Sequence, residues 1–468
     1  MKMRSGIWGS RTVASIVVVL FCAHFFASCS LSAQAVQLNP ANKPDVLPDI
    51  VPNKLSNEVK DKHIPARILS DRLPEKPTIA PSFTIPVGTL GFTAPGPRYL
   101  GLRNSLASLD FLGDDHLLFT FRVPGLIRRD GGPKEGENER EIQAVVLEVK
   151  TGRVEAEALW TVHDLVRYLW MLKDGHFLLR DRDGLEQGDS SLVLKPLLQF
   201  PGQVQWLEFD PEQLYMVTNS IEPSKEEIKP GQVDSPPTAA ATIEVDGQNT
   251  SAPADKVVRI LERSTGKVML VSRVRSTVHL PINADGYLER LRGNGQTWLL
   301  NLTYFTGGSR VLGRVESSCS PVFDFISQSE LLVTGCTAWG GTRLVALTTD
   351  GRRLWEEVAT NSEVWPKNVM SPDGSRLVFE TLAVSRPVNA YNPIDSADVK
   401  GQLVRIINAA DGNVALEATA RPSLDAGGNV ALSPTGRRAA ILIDGAIQVF
   451  DLPPAPVLPG PTTAPAPR

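Results

Sequence analysis

Residues 369–379 read Val-Met-Ser-Pro-Asp-Gly-Ser-Arg-Leu-Val-Phe. Apolar residues flank a Ser-Pro-Asp-Gly centre in which Pro presets φ and Gly supplies a positive φ, the chemistry of a tight turn between two strands. Six further stretches have the same form: FLGDDHLLFTF (111–121), WMLKDGHFLLR (170–180), LEFDPEQLYMV (207–217), RLRGNGQTWLL (290–300), FDFISQSELLV (323–333) and ALSPTGRRAAI (431–441). In each, an apolar strand runs through a polar turn into a second apolar strand. A third strand follows in every unit: IQAVVLEV, SSLVLKPL, KVVRILER, SRVLGRVE, TRLVALTT, GQLVRIIN and AIQVFDLP. In four units that strand ends in one recurring turn: VLEVKTGRV at Gly152, ILERSTGKV at Gly266, ALTTDGRRLW at Gly351 and IINAADGNV at Gly412.

A unit of consecutive antiparallel strands, repeated without a long amphipathic helix, predicts an all-β β-propeller. The Thr/Asp-Gly turns resemble those of WD40-like and quinoprotein-like propeller repeats, and SPDGSRLVF resembles the equivalent hairpin of TolB-like repeats. The resemblance implies a fold and no specific family. Three insertions, at 129–140, 219–256 and 381–400, interrupt the units. Without them the body averages about 40 residues per unit, the period of a four-stranded blade. The expected architecture is seven four-stranded blades. The seventh unit runs out near Pro453 after three strands, so its outer strand is expected from Ser82–Leu106, closing the ring with an N-terminal strand. Counts of six or eight stay open, because the second and fourth units show no clear fourth strand.

Alternating strand directions give the fold two ends. The seven polar turns and the Thr/Asp-Gly turns share one end, and all three insertions, between second and third strands, fall at the other. Insertions on a rigid scaffold are a common way to carry binding loops. The third contains Tyr391, the aromatic candidate for ligand contact.

The chain ahead of the propeller reads as an export signal. Lys2, Arg4 and Arg11 precede an uncharged apolar run from Val13 to Phe26, shorter than a membrane span needs. Ala33-Gln34-Ala35 fits a cleavage site, giving a signal peptide over 1–35; alternatively Phe26-Ala27-Ser28-Cys29 resembles a lipobox, making Cys29 the site of lipidation. Residues 36–81 read as a Pro-rich disordered spacer, 82–453 as the propeller and 454–468 as a Pro/Ala-rich tail. The protein is therefore expected outside the cytoplasm: periplasmic or secreted, or anchored to the outer membrane if Cys29 is lipidated. Cys319 and Cys336 are then expected to form a disulfide. In a hairpin centred between Ser327 and Gln328 they stand directly opposite, and a slip of one residue would put them on opposite faces.

Formal net charge is -4, which gives no electrostatic reason to expect nucleic acid. No two of His63, His116, His163, His176 and His279 have metal-ligand spacing. The acidic run Asp181, Asp183, Glu186 and Asp189 offers oxygen ligands for Ca²⁺, though its Gly comes too early for an EF-hand. Ser264-Thr-Gly-Lys267 matches a nucleophile signature, but the repeated turn explains it. No catalytic or cofactor-binding residue is assigned. The expectation is a non-enzymatic propeller that binds a protein or cell-envelope ligand through its insertion-bearing end. The alternatives are a propeller enzyme, either a carboxylate hydrolase or a degenerate quinoprotein, and a structural lipoprotein of envelope assembly.

Overall fold

The computed structural model describes residues 64–94, 107–123, 140–162, 167–222, 256–274, 278–386, 394, 396–424 and 428–456. Its strands form seven sheets. Two strands precede the blades, β1 (Arg67–Ile68) and β2 (Phe83–Pro86). Blade 1 comprises β3 (Ser108–Phe111), β4 (His116–Arg122), β5 (Arg140–Glu148) and β6 (Val154–Val162). Blade 2 comprises β7 (Leu169–Met171), β8 (Phe177–Asp181), β9 (Gly184–Gly188) and β10 (Lys195–Gln199). Blade 3 comprises β11 (Gln203–Phe209), β12 (Tyr215–Ile221), β13 (Lys256–Glu262) and β14 (Val268–Val274). The ladder of blade 4 has β15 (Gly286–Arg292), β16 (Thr297–Tyr304) and β17 (Ser309–Glu316). Blade 5 has β18 (Val322–Ser327), β19 (Glu330–Cys336), β20 (Thr342–Thr348) and β21 (Arg353–Ala359). Blade 6 has β22 (Glu363–Met370), β23 (Arg376–Val384), β24 (Val399–Asn408) and β25 (Val414–Ala420). Blade 7 has β26 (Val430–Leu432), β27 (Arg438–Ile443) and β28 (Ala446–Asp451), completed by β2.

Within a blade the strands pair antiparallel in chain order. The first strands of neighbouring blades approach one another, as β22 with β26, β26 with β3 and β3 with β7, which places them around the propeller axis. Period-2 alternation sends successive side chains to opposite faces of each sheet. Both faces are buried, so the strands carry apolar residues on each. In β4, Leu117 and Phe119 face blade 7, whereas Leu118 packs toward blade 2 with Ile142 and Phe177. Each of the seven hydrophobic clusters is the interface between two consecutive blades, and the one formed by blades 7 and 1 closes the ring.

Three of the four repeated Gly turns close with a hydrogen bond to the carbonyl four residues back, and the turn at Gly351 is one residue tighter. Gly152 and Gly266 donate their backbone N–H to the carbonyls of Glu148 and Glu262, and Gly351 and Gly412 to those of Thr348 and Asn408. All four glycines have φ between +67° and +89°, a region that costs an L side chain strain. The seventh blade closes as expected: Phe83 pairs with Val449 and Pro86 with Ala446.

Two blades differ from the sequence expectation. In blade 4, RLRGNGQTWLL is the connection from second to third strand, and SRVLGRVE is the fourth strand. The true first turn is Asn283-Ala-Asp-Gly286, where Asn283 N–H donates to the Gly286 carbonyl at 2.9 Å. An isolated bridge joins Ile282 to Tyr287, so residues 278–282 occupy the inner-strand position. Pro281 lacks a ladder donor and breaks the apolar run, which hid this strand. In blade 2 the third strand is β9, inside the acidic run, and SSLVLKPL holds the next turn and the start of β10.

The stretch read as spacer also contributes structure from Arg67 onward. β1 adds parallel to β21, the outer strand of blade 5. Farther on, Thr78 N–H donates to Glu417 O at 3.0 Å on the edge of blade 6. The segment thus runs along the outer edges of blades 5, 6 and 7. Its prolines are compatible with this path because an edge strand needs few of its own N–H donors. Among the described residues no helix is long and apolar enough to cross a membrane.

Candidate functional site

All three long connections leave second strands and enter third strands: β4 to β5, β12 to β13 and β23 to β24. Their ends therefore lie at one end of the disc, shared with the crossings from one blade to the next. The disulfide sits there too. Cys319 and Cys336 are bonded, with Cα atoms 5.4 Å apart. Cys319 lies on the crossing into blade 5 and Cys336 ends its second strand. The hairpin register is one residue away from that expected, because Val322 pairs with Thr334 and Phe323 with Val333. The bond still forms because Cys319 precedes β18 and is not held by its alternation. Ser317 Oγ accepts from Cys336 N–H at 2.9 Å and donates to Cys319 O at 2.7 Å, fixing this crossing beside the strand end.

Next to Cys336, the second-to-third connection of blade 5 presents Trp339, 60% exposed. Its turn is closed by Thr337 N–H to Gly341 O at 2.8 Å. Asn361, on the crossing into blade 6, donates to Trp339 O at 3.3 Å. A short loop tied at both sides thus holds a large aromatic side chain in water. Trp339 was missed by the sequence reading, since a lone Trp in a turn has no periodic signal; its place between Cys336 and the third strand of its unit was the available clue. Tyr391, Cys29 and His163 lie outside the described residues.

Nearer the axis, polar side chains link successive inner strands. Asp110 of β3 accepts from Ser108 Oγ at 2.6 Å and faces Arg167, just before β7. Burial pushes the Asp110 carboxyl up, against the Ser108 hydrogen bond and the Arg167 charge. The Arg167 guanidinium lies 5.5 Å from the ring centre of Trp170 and 6.0 Å from that of Trp206. Trp206 Nε1 donates to Glu208 Oε1 at 2.9 Å. Glu208 then meets His279 Nδ1 at 2.6 Å, while His279 Nε2 faces Phe323 O at 2.6 Å and Asp324 at 3.5 Å. Only acceptors surround both imidazole nitrogens, so the doubly protonated ring suits the site.

Burial lowers the His279 pKa, but the charges and hydrogen bonds of Glu208 and Asp324 outweigh it and hold the imidazolium well above its ordinary range. A folded-state pKa raised above the unfolded value stabilises the fold in full below about pH 6.5. That contribution is lost as pH rises through the folded pKa. Unfolding midpoints are therefore expected to fall on the alkaline side of pH 6.5 in the native protein. His279→Gln should flatten this window and lower stability mainly at acidic pH; urea titrations at several pH values check both.

Of the acidic run, Asp181 and Glu186 are near enough for their charges to interact, while Asp183 and Asp189 flank opposite ends of β9. Asp181 ends β8, Glu186 lies within β9 opposite Leu179, and Asp183 is in the turn between those strands. Asp189 follows the far end of β9 and accepts from Ser191 N–H at 2.8 Å. Glu186 is pushed up by burial and by Asp181. A Ca²⁺ site here would need ligands from beyond this hairpin, and among the described residues no group of three or more His, Cys, Asp or Glu is placed to hold a metal. Ser264 and Lys267 lie in the repeated turn, where Glu262 N–H donates to Lys267 O at 2.9 Å.

No protein-family model matches the chain, and no curated protein matches it. Among solved structures it is similar to the WD40 domain of Toxoplasma gondii coronin, at 9% identity over 82% of this chain and 88% of that one, with a TM-score of 0.44. It is also similar to the Pyrococcus horikoshii acylaminoacyl peptidase, at 11% identity over 72% of this chain and 49% of that one, TM-score 0.41. A third is TolB from Acinetobacter baumannii, at 12% identity over 68% of this chain and 75% of that one, TM-score 0.35. The chain is a seven-bladed β-propeller with WD40 and TolB propellers among its structural neighbours.

Proposed function

We propose that this protein is an extracytoplasmic, non-enzymatic propeller that binds a protein ligand of the cell envelope on its insertion-bearing end. One observation supports this reading above others: the three long connections, the disulfide and exposed Trp339 share that end. Exposed Trp on a rigid turn is typical of binding hot spots, where its loss costs 2 kcal/mol or more, about thirtyfold in Kd.

The inner polar groups lend less support to an enzyme. Glu208 is engaged by Trp206, His279 and the Leu280 N–H. A carboxylate bonded through both oxygens to its own scaffold is poorly placed to transfer a proton or attack a substrate. Photo-cross-linking from position 339 in the native envelope tests the proposal, with position 311 on the outer edge of blade 4 as control. One partner captured from 339, absent from 311 and lost on removing residues 387–395, which lie between β23 and β24, is the expected result. An unchanged set of partners after that removal and after Trp339→Ala would overturn it. Mass spectrometry of the mature N-terminus decides between a lipidated Cys29 and a start near Val36.

A further inference from the structure

We infer that Arg122 and Arg140 form an oxyanion-binding site at the insertion-bearing end of the interface between blades 1 and 2, sized for one phosphate or carboxylate group. Arg122 ends β4 and Arg140 begins β5. The ladder pairs Arg122 with Ile142, so Arg140 is its diagonal neighbour on the same face, a spacing of about 7–8 Å that long side chains bridge. That face is the one on which Ile142, Ala144 and Leu118 pack toward blade 2. Glu141 alternates to the other face.

Arg140 is only 7% exposed. Its Nε and Nη1 are buried with no hydrogen-bond partner, and among the described residues no carboxylate pairs with it or with Arg122. Burial and the nearby Arg122 charge both act against its protonated form. The other deeply buried arginines, Arg180, Arg376 and Arg405, each donate at least one side-chain hydrogen bond, although the Nε of Arg180 and of Arg376 is likewise buried without a hydrogen-bond partner. Arg405 is held by Glu363, and Arg180 donates to the carbonyls of Val204 and Gln205. A buried guanidinium without a counter-charge carries a desolvation penalty of several kcal/mol. Two guanidinium groups converging from adjacent strands match the planar, multidentate geometry of an oxyanion. A bound anion would satisfy the orphaned N–H groups and neutralise the like-charge pair.

The test uses the full mature chain in low-salt chloride buffer, titrated separately with inorganic phosphate and with acetate. The expected result is one bound anion per chain and a saturable rise in melting midpoint. Stronger binding of phosphate would assign the source as a phosphate-bearing ligand, and stronger binding of acetate a carboxylate-bearing one. Arg140→Met should abolish the anion response while leaving the midpoint in chloride unchanged or higher, since it removes an uncompensated charge. Arg122→Gln, less buried, should weaken binding at least tenfold. A lower chloride midpoint for Arg140→Met, or an equal anion response in native and variant chains, would overturn the assignment and make Arg140 a structural residue.

Discussion

Glu363→Gln is expected to destabilise the propeller by about 3 kcal/mol, the lower end of the cost of removing one partner of a buried pair, because Glu417 stays beside Arg405. The Glu363 and Arg405 side chains are both 0% exposed. Their two hydrogen bonds are 2.8 Å each, one from Nη1 to Oε2 and one from Nη2 to Oε1. Thr381 Oγ1 donates to the same carboxylate at 2.5 Å, and Glu417 lies 3.4 Å from Arg405 Nε. The guanidinium also stands 5.8 Å from the Phe379 ring centre and donates to the Ser70 carbonyl. The pair therefore joins the first and third strands of blade 6 to the N-terminal segment on its edge.

Removing one charge leaves the other incompletely compensated, whereas removing both can be nearly neutral, because much of the Coulomb gain only repays desolvation. The double variant Glu363→Met with Arg405→Leu should thus be more stable than Glu363→Gln alone. Urea midpoints of the native chain and both variants decide this. Limited proteolysis near Ser70 should accelerate in both, since each weakens the contact to that carbonyl. Equal midpoints for native protein and Glu363→Gln would show that the pair contributes nothing.

Blade number was readable because it depends on local chemistry. Each hairpin needs a turn residue at a set place between apolar runs, and SPDGSRLVF and VLEVKTGRV state that need within about ten residues. The closing strand was readable by subtraction, since a seventh unit of three strands must borrow a fourth. Inner strands were harder. Residues 278–282 carry Pro281 and His279, neither of which looks like strand, yet Val278, Leu280 and Ile282 alternate into the interface with blade 3. The polar links depend on neighbours far apart in sequence. Glu208, His279 and Asp324 come from three blades, and no local pattern places them together. Residues 67–81 look like linker by composition because their hydrogen bonds go to blade edges supplied by distant strands.

The second large effect concerns closure. A chain beginning at Gly88, without β1, β2 and the segment between them, is expected to lose cooperative folding. One beginning at residue 64 should unfold as the native protein does. β2 pairs with β28 from Phe83 to Pro86, and the Ser82 and Val87 N–H groups donate to Val449 O and Gly445 O at 2.8 and 3.0 Å. Ile85 and Val87 are 4% and 1% exposed, in the cluster between blades 7 and 1. Burying an aliphatic side chain contributes about 1.5–3 kcal/mol, and each hydrogen bond about 1 kcal/mol net. The strand is thus worth about 5–10 kcal/mol, comparable with the whole stability of a typical domain. Losing it also bares the edge of β28, a template for intermolecular pairing. The truncated chain should therefore aggregate, and a synthetic peptide of residues 79–92 added during refolding should restore part of the soluble, cooperatively unfolding fraction. A peptide with Ile85→Asp should not, because it would bring a charge into the interface that Ile85 fills. If the truncated chain kept the native urea midpoint without peptide, the ring would be held by the contacts of β26 with β3, and β2 would be an accessory strand.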